Sequence, residues 1–384
     1  MLKEKVQRLM DDTVAAGDNA GCSFLVYQNG EEVLYCESGF ADLEKGKPIA
    51  RDSMFQIFSM TKPITAVAVM KLVEEGKLSM LEPVSTYLPG FVNQKVYQDG
   101  RLVPTDRLVF IKDLLNMTSG MVYPEASVPG YAVDQVFHKI EEEGLSTLEA
   151  ANALGRCPLA FQPGQGWKYG TGADILGAVV EVVTGMRYSD YLKQKIFGPL
   201  GMRDTDFYVP EEKSHRLVKT YIWHGKEPFT QMTTGFLAIS PTMDKRPAFE
   251  SGGAGLVSTI DDYSRFARML LQDGELDGVR ILQKRTVEYL KTGGVTQIQQ
   301  KDFEKQRNDF SGYSYSNLMR VCKDPGAAYY FVPEGEFGWD GAKETFSSIA
   351  PKDNMVMVYM VQKWGGGFAD LPHKLNNLVR AELC

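Results

Sequence analysis

Leu2, Val6, Leu9, Met10 and Val14 recur at helical spacing with charges between them, which predicts an amphipathic helix at the start of the chain. The period then changes. Residues 23–28 and 32–40 read as strands on either side of Asn29-Gly30, a pair suited to a tight hairpin turn. Residues 64–73 are apolar on nearly every side, so the helix predicted there is a buried one, ended by Gly76. A second apolar helix is predicted over 173–184, where Ile175, Leu176, Val179, Val180, Val182 and Val183 precede the stop at Gly185. A third is predicted near 260–272, with Thr259 as its cap and Asp261 and Asp262 in its first turn. Strand-like runs return at 313–321, 327–332, 343–350 and 355–362, and a last helix begins after Asp370.

Strands thus lie at both ends of the chain, with helices and long connections between them. The economical arrangement is an α+β fold whose antiparallel sheet is built from both chain ends and flanked by helices. A sheet domain is expected from 1–76 and 311–384, and an inserted, mainly helical domain from 77–310.

Composition narrows the partners. The 384 residues are 43% hydrophobic and 24% charged, ordinary for a globular protein, and the net charge is −7. An acidic balance without a basic run argues against nucleic acid, so a small-molecule substrate is expected. The apolar segments are too short to span a bilayer, and the first helix lacks the uninterrupted apolar stretch of a secretory signal. A cytoplasmic protein without membrane partners is expected. Its five cysteines are odd in number and scattered, so free thiols are expected rather than disulfides. The four histidines show no metal-ligand spacing, and no metal or other cofactor is expected.

Candidate chemistry starts at Phe58-Ser59-Met60-Thr61-Lys62-Pro63. Positions i and i+3 share a helix face, which brings an amine within reach of a hydroxyl. A serine at a helix start also has free backbone N–H groups nearby to receive an oxyanion. Serine attacks only when something removes its proton. An amine does so only when neutral, and burial against the apolar helix acts in that direction. A capping serine followed by a solvated lysine would carry the same letters.

Two glycine-rich clusters add to the pair. Gly166-Trp167-Lys168-Tyr169-Gly170-Thr171-Gly172 feeds the helix at 173, and its Tyr169 suits a second base or proton shuttle. Phe337-Gly338-Trp339-Asp340-Gly341-Ala342 lies between two late strands, where the N–H of Ala342 can pair with that of Ser59 as an oxyanion hole. There is no GxSxG elbow, no phosphate-cradling loop and no dinucleotide fingerprint.

The order of these motifs resembles the serine β-lactamase and penicillin-binding-protein superfamily, in particular its class C-like group with the family VIII carboxylesterases. Residues 113–120, similar to an LLxHTSG segment, 169–185, 199–202, 252–262 and 337–362 extend the resemblance over nearly the whole chain. It implies a β-lactamase/transpeptidase-like fold, with Ser59 as the acylated nucleophile, Lys62 as its base and Tyr169 in the YxN position. Trp339, Asp340 and Gly341 would stand at the KTG position and contact substrate together with Thr171. Thr171 replaces the YxN asparagine, Trp339 the KTG cation, and Asp340 a residue usually Gly in the esterase branch. Trp339 has no charge with which to hold a substrate carboxylate, and Asp340 would repel one.

The expected function is therefore that of a serine hydrolase, carboxylesterase-like, acting on a small ester or amide through an acyl-enzyme. A β-lactamase, a D-Ala-specific carboxypeptidase, an acyltransferase and a non-catalytic binding homologue are the alternatives. Tyr123, Tyr131, Tyr221, Trp223 and Phe236 are expected around the cleft.

Overall fold

The computed structural model describes residues 1–384 apart from 226, 293 and 367–369. Its organising element is the run Met355–Val361, seven residues that are all buried. Met355, Met357, Tyr359 and Val361 join one apolar cluster, and Val356, Val358 and Met360 join another. Side chains alternate across a strand, so a continuous apolar run needs a cover on each face of its sheet.

Among the described residues that sheet has eight strands. They are β1 (Gly21–Gln28), β2 (Glu31–Asp42), β3 (Lys47–Pro48), β4 (Tyr313–Ser316), β5 (Met319–Cys322), β6 (Phe337–Gly338), β7 (Phe346–Ala350) and β8 (Met355–Val361). The spatial order is β4-β5-β6-β7-β8-β1-β2-β3, with antiparallel pairs throughout. The two chain ends meet where Cys22 pairs with Val361 and Gln28 with Met355.

One face of the sheet is covered by α1 (Leu2–Ala15) and by the C-terminal helix Leu371–Leu383. Val6 and Met10 from the first and Leu371, Leu375 and Val379 from the second pack on Cys22, Phe24, Met357 and Tyr359. The other face carries Ile260–Leu271, a helix from the middle of the chain, capped by Thr259 Oγ1 accepting from the Asp262 amide. Beyond it, α2 (Thr61–Glu74) and α3 (Gly172–Thr184) pack on one another. In α2 nearly every residue from Thr61 to Leu72 is buried. No helix of the described residues is long and apolar enough to cross a membrane.

Two late strands differ from the expectation. The run 313–321 is a hairpin, because Asn317 and Leu318 take φ of 46° and 67° and reverse the chain. That turn is held by the Asn317 amide on Asn116 Oδ1 (3.1 Å) and the Leu318 amide on Leu115 O (2.7 Å). Residues 327–332 form no strand. The Phe331 amide donates to Asn377 Oδ1 (2.7 Å), and its carbonyl accepts from Asn376 Nδ2 (2.6 Å), so helix side chains occupy the groups a ladder would use.

Candidate active site

The site begins at a strained turn. Phe55–Gln56 pairs with Val257–Ser258, and the Ile57 amide donates to Leu256 O at 3.0 Å. Phe58 then takes φ of 43°, a left-handed conformation that costs a bulky residue on the order of 1 kcal/mol or more. Its ring is buried against Ile239 and Ala254, with Phe236 packed on the same cluster, and this packing holds the turn. Ser59 follows at the head of α2, half-buried, and Lys62 lies one turn on with no exposure.

The sequence pair meets in space. Lys62 Nζ is 3.2 Å from Ser59 Oγ, 3.0 Å from the Tyr123 hydroxyl and 2.8 Å from the Gly253 carbonyl. It also stands 4.6 Å above the centroid of the Tyr169 ring and 5.2 Å above that of Tyr123.

Behind the lysine lies a carboxylate. Asp174, in the first turn of α3, is 2% exposed. Its Oδ1 accepts from Ser251 Oγ and from the Gly253 amide (3.0 Å), and its Oδ2 accepts from the Tyr123 hydroxyl (3.4 Å). Burial pushes the Asp174 carboxyl above the usual carboxylate range, opposed by the nearby Lys62 charge and by these hydrogen bonds. Burial, with the Asp174 charge next in weight, raises the Tyr123 phenol well above its ordinary value and keeps it neutral. Gly253 serves both neighbours through its backbone. A Cβ there would lie 2.6 Å from the Tyr123 hydroxyl and 2.8 Å from Asp174 Oδ2, so no other residue fits without displacing them.

Tyr169 is half-buried opposite Tyr123, with ring centroids 5.6 Å apart. Its hydroxyl accepts from Trp339 Nε1 at 3.0 Å, and the Trp339 ring packs among Tyr169, Tyr315 and Phe310. Trp339 therefore orients the phenol. Thr171 is fully buried at the start of α3, and its hydroxyl has no hydrogen-bond partner among the described residues.

Asp340 is buried and does not stand as an exposed charge beside the Phe58–Ser59 turn. Its Oδ1 takes Arg320 Nη1 at 2.6 Å, and the same guanidinium reaches Glu336 at 3.3 Å. Burial pushes the Asp340 carboxyl up to about 6, and Arg320 opposes that rise. The anion-repelling role expected for it is answered by this buried cation, since Arg320 pairs in register with Gly338 on the adjacent strand. Gly341 packs against the turn that precedes Ser59, where a Cβ would meet Ile57 O at 2.6 Å, and Ala342 beside it is exposed. Lys343 is no substitute for the missing KTG cation. Its amine is held by Gln56 Oε1 and by Thr220 Oγ1 (2.6 Å), and burial lowers its pKa to about 7.

Tyr123 figured in the sequence only as one aromatic of the cleft, and Asp174 and Gly253 not at all as site residues. A carboxylate in the first turn of the apolar α3, well apart from Glu181 near its end, and a Gly252-Gly253 pair are the signals that mark them. Of the other aromatics, Phe236 packs on Phe58 at 6.2 Å and on Trp364 at 4.7 Å. Tyr221 is buried beside Phe229 and Tyr131 is 62% exposed, so neither is drawn into the group around Lys62. Cys22, Cys36, Cys157, Cys322 and Cys384 are free thiols, and no group of ligating residues among the described ones could hold a metal.

A large antiparallel sheet between helices, with a Ser-Lys pair at the head of a buried helix, defines a class. The chain belongs to the β-lactamase family, whose model matches residues 6–381. Esterase EstB of Burkholderia gladioli is 32% identical over 354 residues, covering 88% of this chain and 85% of its own. Protein Rv1367c of Mycobacterium tuberculosis is likewise 32% identical, over 356 residues that cover 90% of this chain and 86% of that protein. Among solved structures, EstCE1, described as a hydrolase with promiscuous acyltransferase activity, superposes with a TM-score of 0.85 at 24% identity, covering 98% of each chain. The family and its esterase relatives support a hydrolase acting on a small-molecule substrate.

Proposed function

We propose that the protein is a carboxylesterase-like serine hydrolase that cleaves small, uncharged esters through an acyl-enzyme on Ser59. The observation that carries this reading is the set of three oxygens around Lys62 Nζ, those of Ser59, Tyr123 and Gly253. The Gly253 carbonyl only accepts. The Tyr123 hydroxyl gives its own proton to Asp174, so toward the lysine it accepts as well. In its uncharged, reacting form the amine spends two N–H bonds on these partners and keeps its lone pair for the one remaining group that can donate, the Ser59 hydroxyl.

In this reading the Ser59 proton passes to Lys62 as Oγ bonds to the ester carbon. The carbonyl pair moves to an oxyanion facing the N–H groups of Ser59 and Ala342. As the bond from the ester carbon to the alcohol oxygen breaks, Tyr169, oriented by Trp339, gives its proton to that oxygen and recovers one from the Lys62 ammonium, and water then hydrolyses the acyl-enzyme. Trp339 in place of a lysine, with Asp340 and Lys343 both engaged elsewhere, favours a neutral acyl group over an anionic β-lactam. EstB, named an esterase, fits the same preference. Ser59→Ala is expected to abolish turnover of p-nitrophenyl acetate and butyrate with the thermal transition unchanged. Full turnover by that variant contradicts the assignment.

A further inference from the structure

We infer that Asp174 is a positioning residue for the acyl-transfer step, acting on Lys62 through Tyr123 and the Gly253 peptide; the inference rests on the reading of Ser59 and Lys62 given above. Asp174 sits at the N-terminal turn of α3, where the helix field favours a negative charge. Each of its hydrogen-bond partners is a donor: Ser251 Oγ, the Gly253 amide and the Tyr123 hydroxyl. Such a set holds a carboxylate and has no use for a carboxylic acid.

Both groups that accept from the Lys62 amine, Tyr123 and the Gly253 carbonyl, are aimed by this carboxylate. It draws the Tyr123 proton toward itself, which turns a phenol lone pair to the lysine. It also pins the Gly253 amide, which fixes the plane whose carbonyl points to Nζ. Among the described residues the groups that face the lysine are Tyr123, the Tyr169 ring, the Ser59 hydroxyl and a backbone carbonyl, none of them a carboxylate. When Ser59 Oγ bonds to the acyl carbon and its proton moves to Nζ, an ammonium appears in a buried site. Asp174 is the charge that balances it. The carboxylate takes no proton, and the arrangement does for a Ser-Lys pair what a buried Asp does for a catalytic His.

The test uses the full chain and p-nitrophenyl butyrate. Asp174→Asn is expected to lower kcat on the order of 100-fold or more with KM little changed. It should also move the acidic limb of the kcat/KM–pH profile to lower pH, because the ammonium loses its balancing charge. Tyr123→Phe cuts one of the two links from lysine to carboxylate and leaves the one through Gly253, so adding D174N to Y123F should cost less than D174N costs alone. A D174N enzyme with the wild-type pH profile, or fully multiplicative losses in the double variant, overturns the inference. Should D174N not fold, Y123F alone must move the limb, and an unmoved limb is equally decisive. Wild-type enzyme that a fluorophosphonate fails to label would instead sink the reading of Ser59, whereas normal labelling with an unmoved limb sinks only the role of Asp174.

Discussion

Asp174 and Asp340 are both buried carboxylates, the first shortly after Tyr169 and the second directly after Trp339. They are satisfied in opposite ways. Asp340 has a full cation, Arg320, at 2.6 Å, and the pair is shut away with Glu336 under aromatic rings. Asp174 has three neutral donors and shares the field of a lysine two hydrogen bonds away. A carboxylate with its own arginine stabilises a fold locally, and removing the arginine strands it. One without such a partner can answer a charge that forms and vanishes nearby. Burial alone does not distinguish the structural acid from the functional one; the identity of the partner does.

Substitutions on each side sharpen that contrast. The largest effect is expected at Lys62. Lys62→Met keeps the length and apolar stem, and should reduce ester turnover on the order of 1000-fold while denaturant unfolding changes little. A few-fold loss would move the general base elsewhere. Arg320→Met comes next and strikes the other carboxylate. It leaves Asp340 and Glu336 buried without a cation, and urea titration should read a loss of about 3–5 kcal/mol. A change below about 1 kcal/mol would mean that water reaches this pair.

The smallest effect concerns Lys343 and is visible only as a pH dependence. Its folded pKa of about 7 lies below the ordinary 10.5, so between those values the unfolded chain binds the proton that the folded chain releases. Stability contributed by this residue therefore rises as pH climbs through that window, by a few kcal/mol at most. Lys343→Met should flatten that part of the curve of unfolding free energy against pH. An unaltered slope would place the amine in contact with water.

Elements whose pattern is local were legible in the sequence. The Asn29-Gly30 hairpin, the helix ended by Gly185 and the buried run Met355–Val361 each follow from spacing within a few residues. The adjacency of Ser59 and Lys62 belongs with them, since i and i+3 on a helix need no tertiary knowledge. What stayed hidden is non-local. Tyr123 and Gly253 reach Lys62 from 61 and 191 positions away. Arg320 neutralises Asp340 because two strands happen to be neighbours. The hairpin inside 313–321 was obscured for a different reason: Asn317-Leu318 is an unusual pair for two left-handed positions, and its strain is met by bonds from Asn116 and Leu115, far earlier in the chain.

The most direct test of the nucleophile is intact-mass spectrometry after exposure to a fluorophosphonate, followed by peptide mapping. The wild-type chain should gain a single adduct on Ser59 and lose ester turnover in proportion, and Ser59→Ala should gain none. An active enzyme that acquires no adduct, or acquires it on another residue as activity disappears, would contradict the Ser59–Lys62 chemistry.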